Sequence, residues 1–300
     1  MNGYKKIISS QKMRFAILRM LKFVPDKAMI KLQYRIKLKR KLNLKDPKRY
    51  TEKIQWYKLY YRNPVMMECV DKYGVRKYIE KKGLGNILNQ LYQVVDRPEE
   101  INFDQLPDKF VIKTTNGSGT NILVKEKKTL NIAETKKKLN DFLNMAEASA
   151  GREWAYGGSS KKIIVEELLE DNSNKDKGIS DYKFLCFNGK PVYVVYDKDR
   201  FSDHKRNFYD VNWNYVKVDS DCPCFEDSVK KPENYEKMVE IASVLSRDFP
   251  AVRVDLYNIE GKIYFGELTF YPWSGYVQYT PDSFDFELGK YFVLPEKAGR

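Results

Sequence analysis

The residues with the clearest chemical potential in this 300-residue sequence are Lys113, Asp255 and Glu267. Asp255 and Glu267 fall in two strand-like runs, Val252–Tyr257 and Ile263–Thr269, joined by the turn Asn258–Gly261. Alternation of side chains lets both carboxylates face one way. Converging carboxylates repel unless a cation or a proton lies between them. Mg²⁺, which prefers oxygen ligands, would satisfy the pair. So would Arg253 or a lysine, as a purely structural network, and the segment alone leaves both open.

Lys113 ends the apolar run Phe110-Val-Ile and precedes Asn116-Gly-Ser-Gly-Thr120. Gly117 and Gly119 let backbone amides approach an anion, while Ser118 and Thr120 add hydroxyl donors. No Gly-Lys-Ser/Thr follows, so this is not a Walker loop. Taken alone, such a Gly-Ser-Gly segment is more often only a hairpin turn. A third run, Ile163-Ile-Val-Glu-Glu-Leu-Leu169, ends a strand in two acids and two leucines, a pattern able to frame a planar ligand or merely to close a buried strand.

The elements that must carry these residues mix helices and strands without strict alternation, which predicts an α+β or mixed α/β fold with antiparallel hairpins. Helical spacing covers 13–24, 28–42, 64–82, 133–148 and 235–249. Strands are expected at 109–113, 122–124 and 162–166. The hairpin 182–187/192–196 turns at Asn188-Gly189, a strong two-residue turn signal.

Charge divides the chain unevenly. Residues 1–50 hold 16 Lys and Arg against 2 Asp, so a net +14 precedes a body of net −1 in a chain of +13. Nucleic acid gripped by a folded surface would call for basic residues throughout the body, so it is the least favoured partner. The basic amphipathic arm suits an anionic membrane surface, or a helix packed on the body with a solvated basic face. No run of about 18 uncharged apolar residues is present to span a bilayer. The first residues lack a signal-peptide pattern, and four cysteines fit a reducing cytoplasm. Cys222-Pro-Cys224 with the single histidine, His204, offers too few close ligands for zinc.

In this order, strand-Lys, glycine loop, Glu-Glu-Leu-Leu, a Lys-bearing hairpin, Arg-x-Asp and Glu-x-Thr, the sequence resembles the ATP-grasp superfamily. It is most similar to the TupA-like branch, associated with teichuronopeptide and other cell-surface polysaccharide synthesis. The stretches that carry the likeness are Thr51–Trp56, Asp71–Tyr78, Asn116–Gly119, Gly151–Trp154, Asp181–Phe184, Arg200–Asp210, Val252–Asp255 and Gly266–Phe270. The resemblance implies an ATP-grasp fold with nucleotide between two α+β lobes. The expected division is a basic arm (1–50), a helical region (51–104), a small lobe (105–170) and a large lobe with the metal site (171–300).

The resemblance also implies roles. Lys113 and Lys183 would hold nucleotide phosphates under a flap formed by Asn116, Gly117, Ser118, Gly119 and Thr120. Glu166 would accept from the adenine amino group, the backbone of Glu167 and Leu169 would complete that contact, and Asp171 or Asp181 would reach the ribose. Asp255 and Glu267 would ligate Mg²⁺, with Thr269 where many relatives carry Asn. Arg253 would stabilise acyl-phosphate charge. The implied activity is ATP-dependent joining of a carboxylate, such as a uronic acid of a glycan or its precursor, to an amine. Arg200 and Arg206, in the basic run 200–209, would clamp that carboxylate unless the run is an ordinary exposed loop. Phe270–Tyr276 would shape an acceptor pocket or cap the core. Two other readings remain: a glycosyltransferase using Asp197-x-Asp199 as its metal motif, and a non-catalytic protein adsorbed to a membrane.

Overall fold

The computed structural model describes residues 21–115, 119–144, 151–158, 161–171, 178–198, 204–225 and 229–297. Two antiparallel sheets organise them. The smaller has the order β1-β4-β2-β3, from Leu91–Val95 (β1), Phe110–Thr114 (β2), Asn121–Val124 (β3) and Ile163–Glu167 (β4). Phe110, Ile112, Ile163 and Val165 build its core with Leu139 of helix Ile132–Asn144, labelled α5 in chain order.

The larger sheet has the order β10-β9-β5-β6-β7-β8. Its strands are Asp181–Phe187 (β5), Lys190–Lys198 (β6), Lys205–Asp210 (β7), Tyr215–Val216 (β8), Ala251–Ile259 (β9) and Lys262–Thr269 (β10). The β5–β6 hairpin turns at Asn188 and Gly189, both at positive φ (50° and 77°), as a two-residue turn of the mirror-image class requires. Helices Tyr50–Tyr60 (α2), Val65–Val70 (α3), Gly74–Lys81 (α4), Tyr235–Ser246 (α6) and Ser283–Tyr291 (α7) share one apolar cluster with this sheet.

Several sequence expectations change. The helix expected over 64–82 is two helices, because the Asp71 side chain accepts from the amides of Tyr73 (3.0 Å) and Gly74 (2.8 Å) and starts the chain afresh. A Cβ at Gly74 would lie 2.8 Å from the Glu68 carbonyl, so the break needs glycine. The helix expected over 28–42 runs Asp26–Leu38 (α1) and stops at Lys39, which takes a left-handed φ of 61°. Residues 205–209, weighed as an exposed loop, form β7 with buried Arg206 and Asn207. The strand β1 and helices α2 and α7 carry no expectation from the sequence. The helix expected over 13–24 falls outside the described residues except for the turn Leu21–Phe23, as do the last four residues of the 133–148 helix.

Candidate active site

A cavity of 470 Å³ is lined by residues from both sheets and from the α3–α4 break. The smaller sheet contributes one ion cluster. Lys113 of β2 and Glu166 of β4 sit on neighbouring strands, and Lys113 Nζ donates to Glu166 Oε2 at 2.9 Å. Arg76 of α4 donates to Glu166 Oε1 at 3.0 Å and to the Asn89 carbonyl at 2.7 Å. Lys72, in the α3–α4 break, is anchored through its amide to the Thr115 carbonyl (3.1 Å) and donates through Nζ to the Thr114 carbonyl (3.1 Å). Burial lowers the Lys72 pKa to about 8, with Lys113 opposing its charge and Glu267 favouring it.

The larger sheet contributes a denser network. Lys183 of β5 lies cross-strand from Asp255 of β9 and is paired with Asp181, with Asp255 (3.4 Å) and Asp197 (3.5 Å) beside it. Arg253 donates from Nε to Asp255 Oδ1 (2.6 Å). Its Nη2 reaches Asp255 Oδ2 (2.7 Å), Glu267 Oε1 (2.7 Å) and Thr269 Oγ1 (3.1 Å). Burial raises the Asp255 carboxyl to about 6 against the pull of Arg253 and Lys183. Glu267 is shifted the other way: Arg253, the Thr269 hydroxyl, Lys183 and Lys72 outweigh burial and lower its pKa.

A bulge creates this convergence. Phe265 pairs with Leu256, yet Glu267 pairs with Asp255, so β10 carries one extra residue at Gly266. A Cβ at Gly266 would come within 2.9 Å of the Asp255 carbonyl. Without the bulge, Glu267 would oppose Val254 and the two carboxylates would part company.

The three oxygens gathered on Arg253 Nη2 bear on the metal question. They are hard donors converging on one point, and the Glu267 side chain is 58% exposed, open to the cavity. That donor set fits a hard divalent cation, with Arg253 as its present neutralising partner. Among the described residues, no group of three or more His, Cys, Asp or Glu that could hold a metal forms by itself.

The other expected residues divide. Asp181, Leu169 and Gly119, the last at φ +74°, line the cavity. Thr120 does not: it is buried, its hydroxyl accepting from Thr114 at 2.7 Å. Glu167 lies beside the lining, its amide spent on the Gln90 carbonyl at 2.9 Å, which leaves that N–H no role toward a base. Arg206 lies outside the lining with its Nε on Asp197 (2.7 Å), its Nη1 on Asp221 (2.6 Å) and its guanidinium over Trp273. Asp197, offered as half of an Asp-x-Asp motif, is buried in that pair, and Asp199 lies outside the described residues. So do Asn116, Gly117, Ser118 and Arg200. The Cys222 and Cys224 thiols donate to the His204 and Val218 carbonyls.

Sequence reasoning missed Lys72, Arg76 and Glu153 as lining residues. The available signal for Lys72 was the run Asp-Lys-Tyr-Gly within an apparent helix, a pattern that can stop a helix and turn the lysine away from its axis.

Residues 52–293 match the TupA-like ATP-grasp family, spanning both sheets and every lining residue just described. The chain belongs to the TupA-like ATP-grasp family. Its mixed α+β architecture of two antiparallel sheets is the ATP-grasp fold. No curated protein matches the chain. Among solved structures it is similar to a D-alanine–D-alanine ligase from Bacillus anthracis, at 19% identity over 67% of this chain and 57% of that one, TM-score 0.40. It is also similar to an N5-carboxyaminoimidazole ribonucleotide synthetase in an ADP complex, at 15% identity over 82% and 56%, TM-score 0.43. An L-amino acid ligase from Bacillus licheniformis matches at 13% identity over 69% and 44%, TM-score 0.41. The chain thus spans about half the length of these proteins.

Proposed function

We propose that this family member is an ATP-dependent carboxylate–amine ligase, acting on a uronic-acid-bearing cell-surface glycan or its precursor. The observation that carries the reading is the shared cavity: Lys72 and Lys113 on one wall, Lys183 and Arg253 on the other, with Asp255 and Glu267 between them. Counting Arg76, five cations among the described residues line the cavity, a setting that suits a nucleoside triphosphate better than any neutral ligand.

In the proposed reaction the acceptor carboxylate oxygen attacks the γ-phosphorus of ATP, forming an acyl phosphate and releasing ADP. An amine then displaces phosphate to give the amide. Lys72, Lys113 and Lys183 would hold phosphate oxygens, and Arg253 would meet the charge that develops on the transferred group. Asp255, Glu267 and Thr269 would hold Mg²⁺, which supplies further neutralisation of phosphate charge when bound. We place the reaction in the cytoplasm, where ATP is available, with the basic arm meeting the inner face of a membrane.

Thermal shift with Mg²⁺-ATP, Mg²⁺-ADP and UDP-sugars tests the site. Adenine nucleotides should raise the Tm of the wild type, and the rise should shrink in Asp255→Asn and in Glu267→Gln, whose side chain is exposed and whose loss leaves the core intact. A response to UDP-sugars alone would sink the ligase. With the nucleotide response in hand, phosphate release on adding uronic acids and amino acids identifies the acceptors.

A further inference from the structure

Helix α1 has two faces of different character. Ile30, Tyr34 and Leu38 pack with Leu42 and Tyr276, and Met29 is buried as well. That face is also fastened by polar bonds, Tyr34 to the Thr51 hydroxyl (2.9 Å) and Gln33 accepting from the Tyr276 hydroxyl (2.8 Å). The helix is therefore held in one rotation, and what it shows outward is fixed.

Outward it shows Lys27, Lys31, Arg35 and Lys39, one per turn, all exposed. Between them lie Leu32 and Ile36, 52% and 47% exposed, and just before the helix Phe23 is 82% exposed. Large apolar side chains left this open on a helix whose other face is fully packed are not needed by the fold. Interleaved with a cation at each turn, they match an anionic bilayer, whose headgroups take the cations and whose acyl boundary takes the apolar groups. A nucleic-acid backbone would use the cations and leave Leu32 and Ile36 in water.

We propose that the outer face of α1, together with Phe23, seats this chain on an anionic lipid surface, with Leu32 and Ile36 entering the acyl boundary. This rests on the reading of the basic arm as a membrane contact and is independent of the ligase chemistry. The charge of the first fifty residues, net +14, supplies the long-range attraction, and the α1 face supplies the contact.

Sedimentation of the full chain with phosphatidylglycerol vesicles, and with phosphatidylcholine vesicles as control, tests it. Wild type should sediment with the anionic vesicles only. The double variant Leu32→Glu/Ile36→Glu should bind at least tenfold more weakly with little change in Tm, since both side chains are about half exposed. Lys31→Gln/Arg35→Gln should weaken binding at low salt and matter less at high salt. Wild type left in the supernatant would overturn the membrane reading and this proposal with it. Wild-type binding that the Leu32→Glu/Ile36→Glu variant retains would overturn the proposal alone. Duplex DNA bound equally by wild type and that variant, and stripping both from vesicles, would make the face a nucleic-acid site instead.

Discussion

The two walls of the cavity differ in how their charges are held. On the smaller sheet, Lys113 is 25% exposed and its partner Glu166 is shared with Arg76. On the larger sheet, the side chains of Lys183, Asp255 and Arg253 are exposed by 5%, 4% and 8%, each with two or more partners, and Glu267, 58% exposed, is the charge that opens to the cavity. The first wall can exchange an internal partner for a ligand at little cost. The second is a preorganised array in which removing one charge strands the rest. A site that must admit a charged nucleotide and then stabilise transferred charge is served by that asymmetry.

The largest test of the contrast is Arg253→Met. It strips Asp255 of a two-point partner and Glu267 of a neighbour, and should cost about 3–5 kcal/mol, since it leaves a buried carboxylate short of a cation. Denaturant midpoints would register it, alongside the lost nucleotide response. Lys113→Met should do the reverse. Stability should change by no more than about 1 kcal/mol, because Glu166 keeps Arg76. Nucleotide affinity should fall by about 1.5–3 kcal/mol, roughly 10- to 150-fold, as for a lost charged hydrogen bond. Calorimetric titration of both variants separates the walls; equal stability losses would erase the distinction.

The acid limb gives a smaller effect. Burial would raise the Asp197 pKa, but Arg206, Lys183 and His204 hold it at about 2, below its ordinary 3.8. A lowered carboxyl pKa contributes stability that is present above pH 3.8 and lost as pH falls toward 2. The loss should be about 2 kcal/mol, because each tenfold change in proton affinity is worth about 1.4 kcal/mol. Urea midpoints between pH 5 and 2 should show it in wild type, and Arg206→Met should reduce it. Lys72 gives the smallest effect. Its folded pKa of about 8 lies below the ordinary 10.5, so its burial penalty is present at neutral pH and is relieved as pH rises from 8 toward 10.5. Nucleotide, which needs the charged form, should bind up to about tenfold more weakly per pH unit above 8. Lys72→Gln should flatten that dependence in titrations from pH 7 to 9.5.

Much of this arrangement is legible in the sequence because strands and turns announce themselves locally. Asn188-Gly189 marks one hairpin, and the apolar run before Lys113 marks β2. The late hairpin is legible too, but its register is not: alternation suggests that Asp255 and Glu267 share a face, while the pairing that aligns them depends on one unpaired residue at Gly266. An edge-strand bulge is a tertiary choice that alternation cannot show. Arg206 misleads for a related reason. Its neighbours in sequence are polar and basic, and its burial arises from Asp197 on the adjacent strand and Asp221 beyond it, partners that only pairing reveals. The break at Asp71 hides inside a run whose helical spacing continues straight through it. The family likeness located residues such as Lys183, yet it left Lys72 and Glu153 unassigned.

Helix α2 has a consequence for how the chain reaches this state. Thr51 binds Asp285 through both its amide (2.9 Å) and its hydroxyl (2.7 Å), and Lys53 binds the Gly289 and Phe292 carbonyls (2.7 Å each). Gln55 binds the Ser274 and Gly275 carbonyls (3.0 Å each). These partners lie 219–239 residues downstream. During synthesis at about 5–20 residues per second, α2 would wait on the order of 10–50 seconds before its polar groups could be satisfied. For that interval the Ile54 and Tyr57 side chains have no sheet to cover them, so a late pause in translation should lower soluble yield more than an early one.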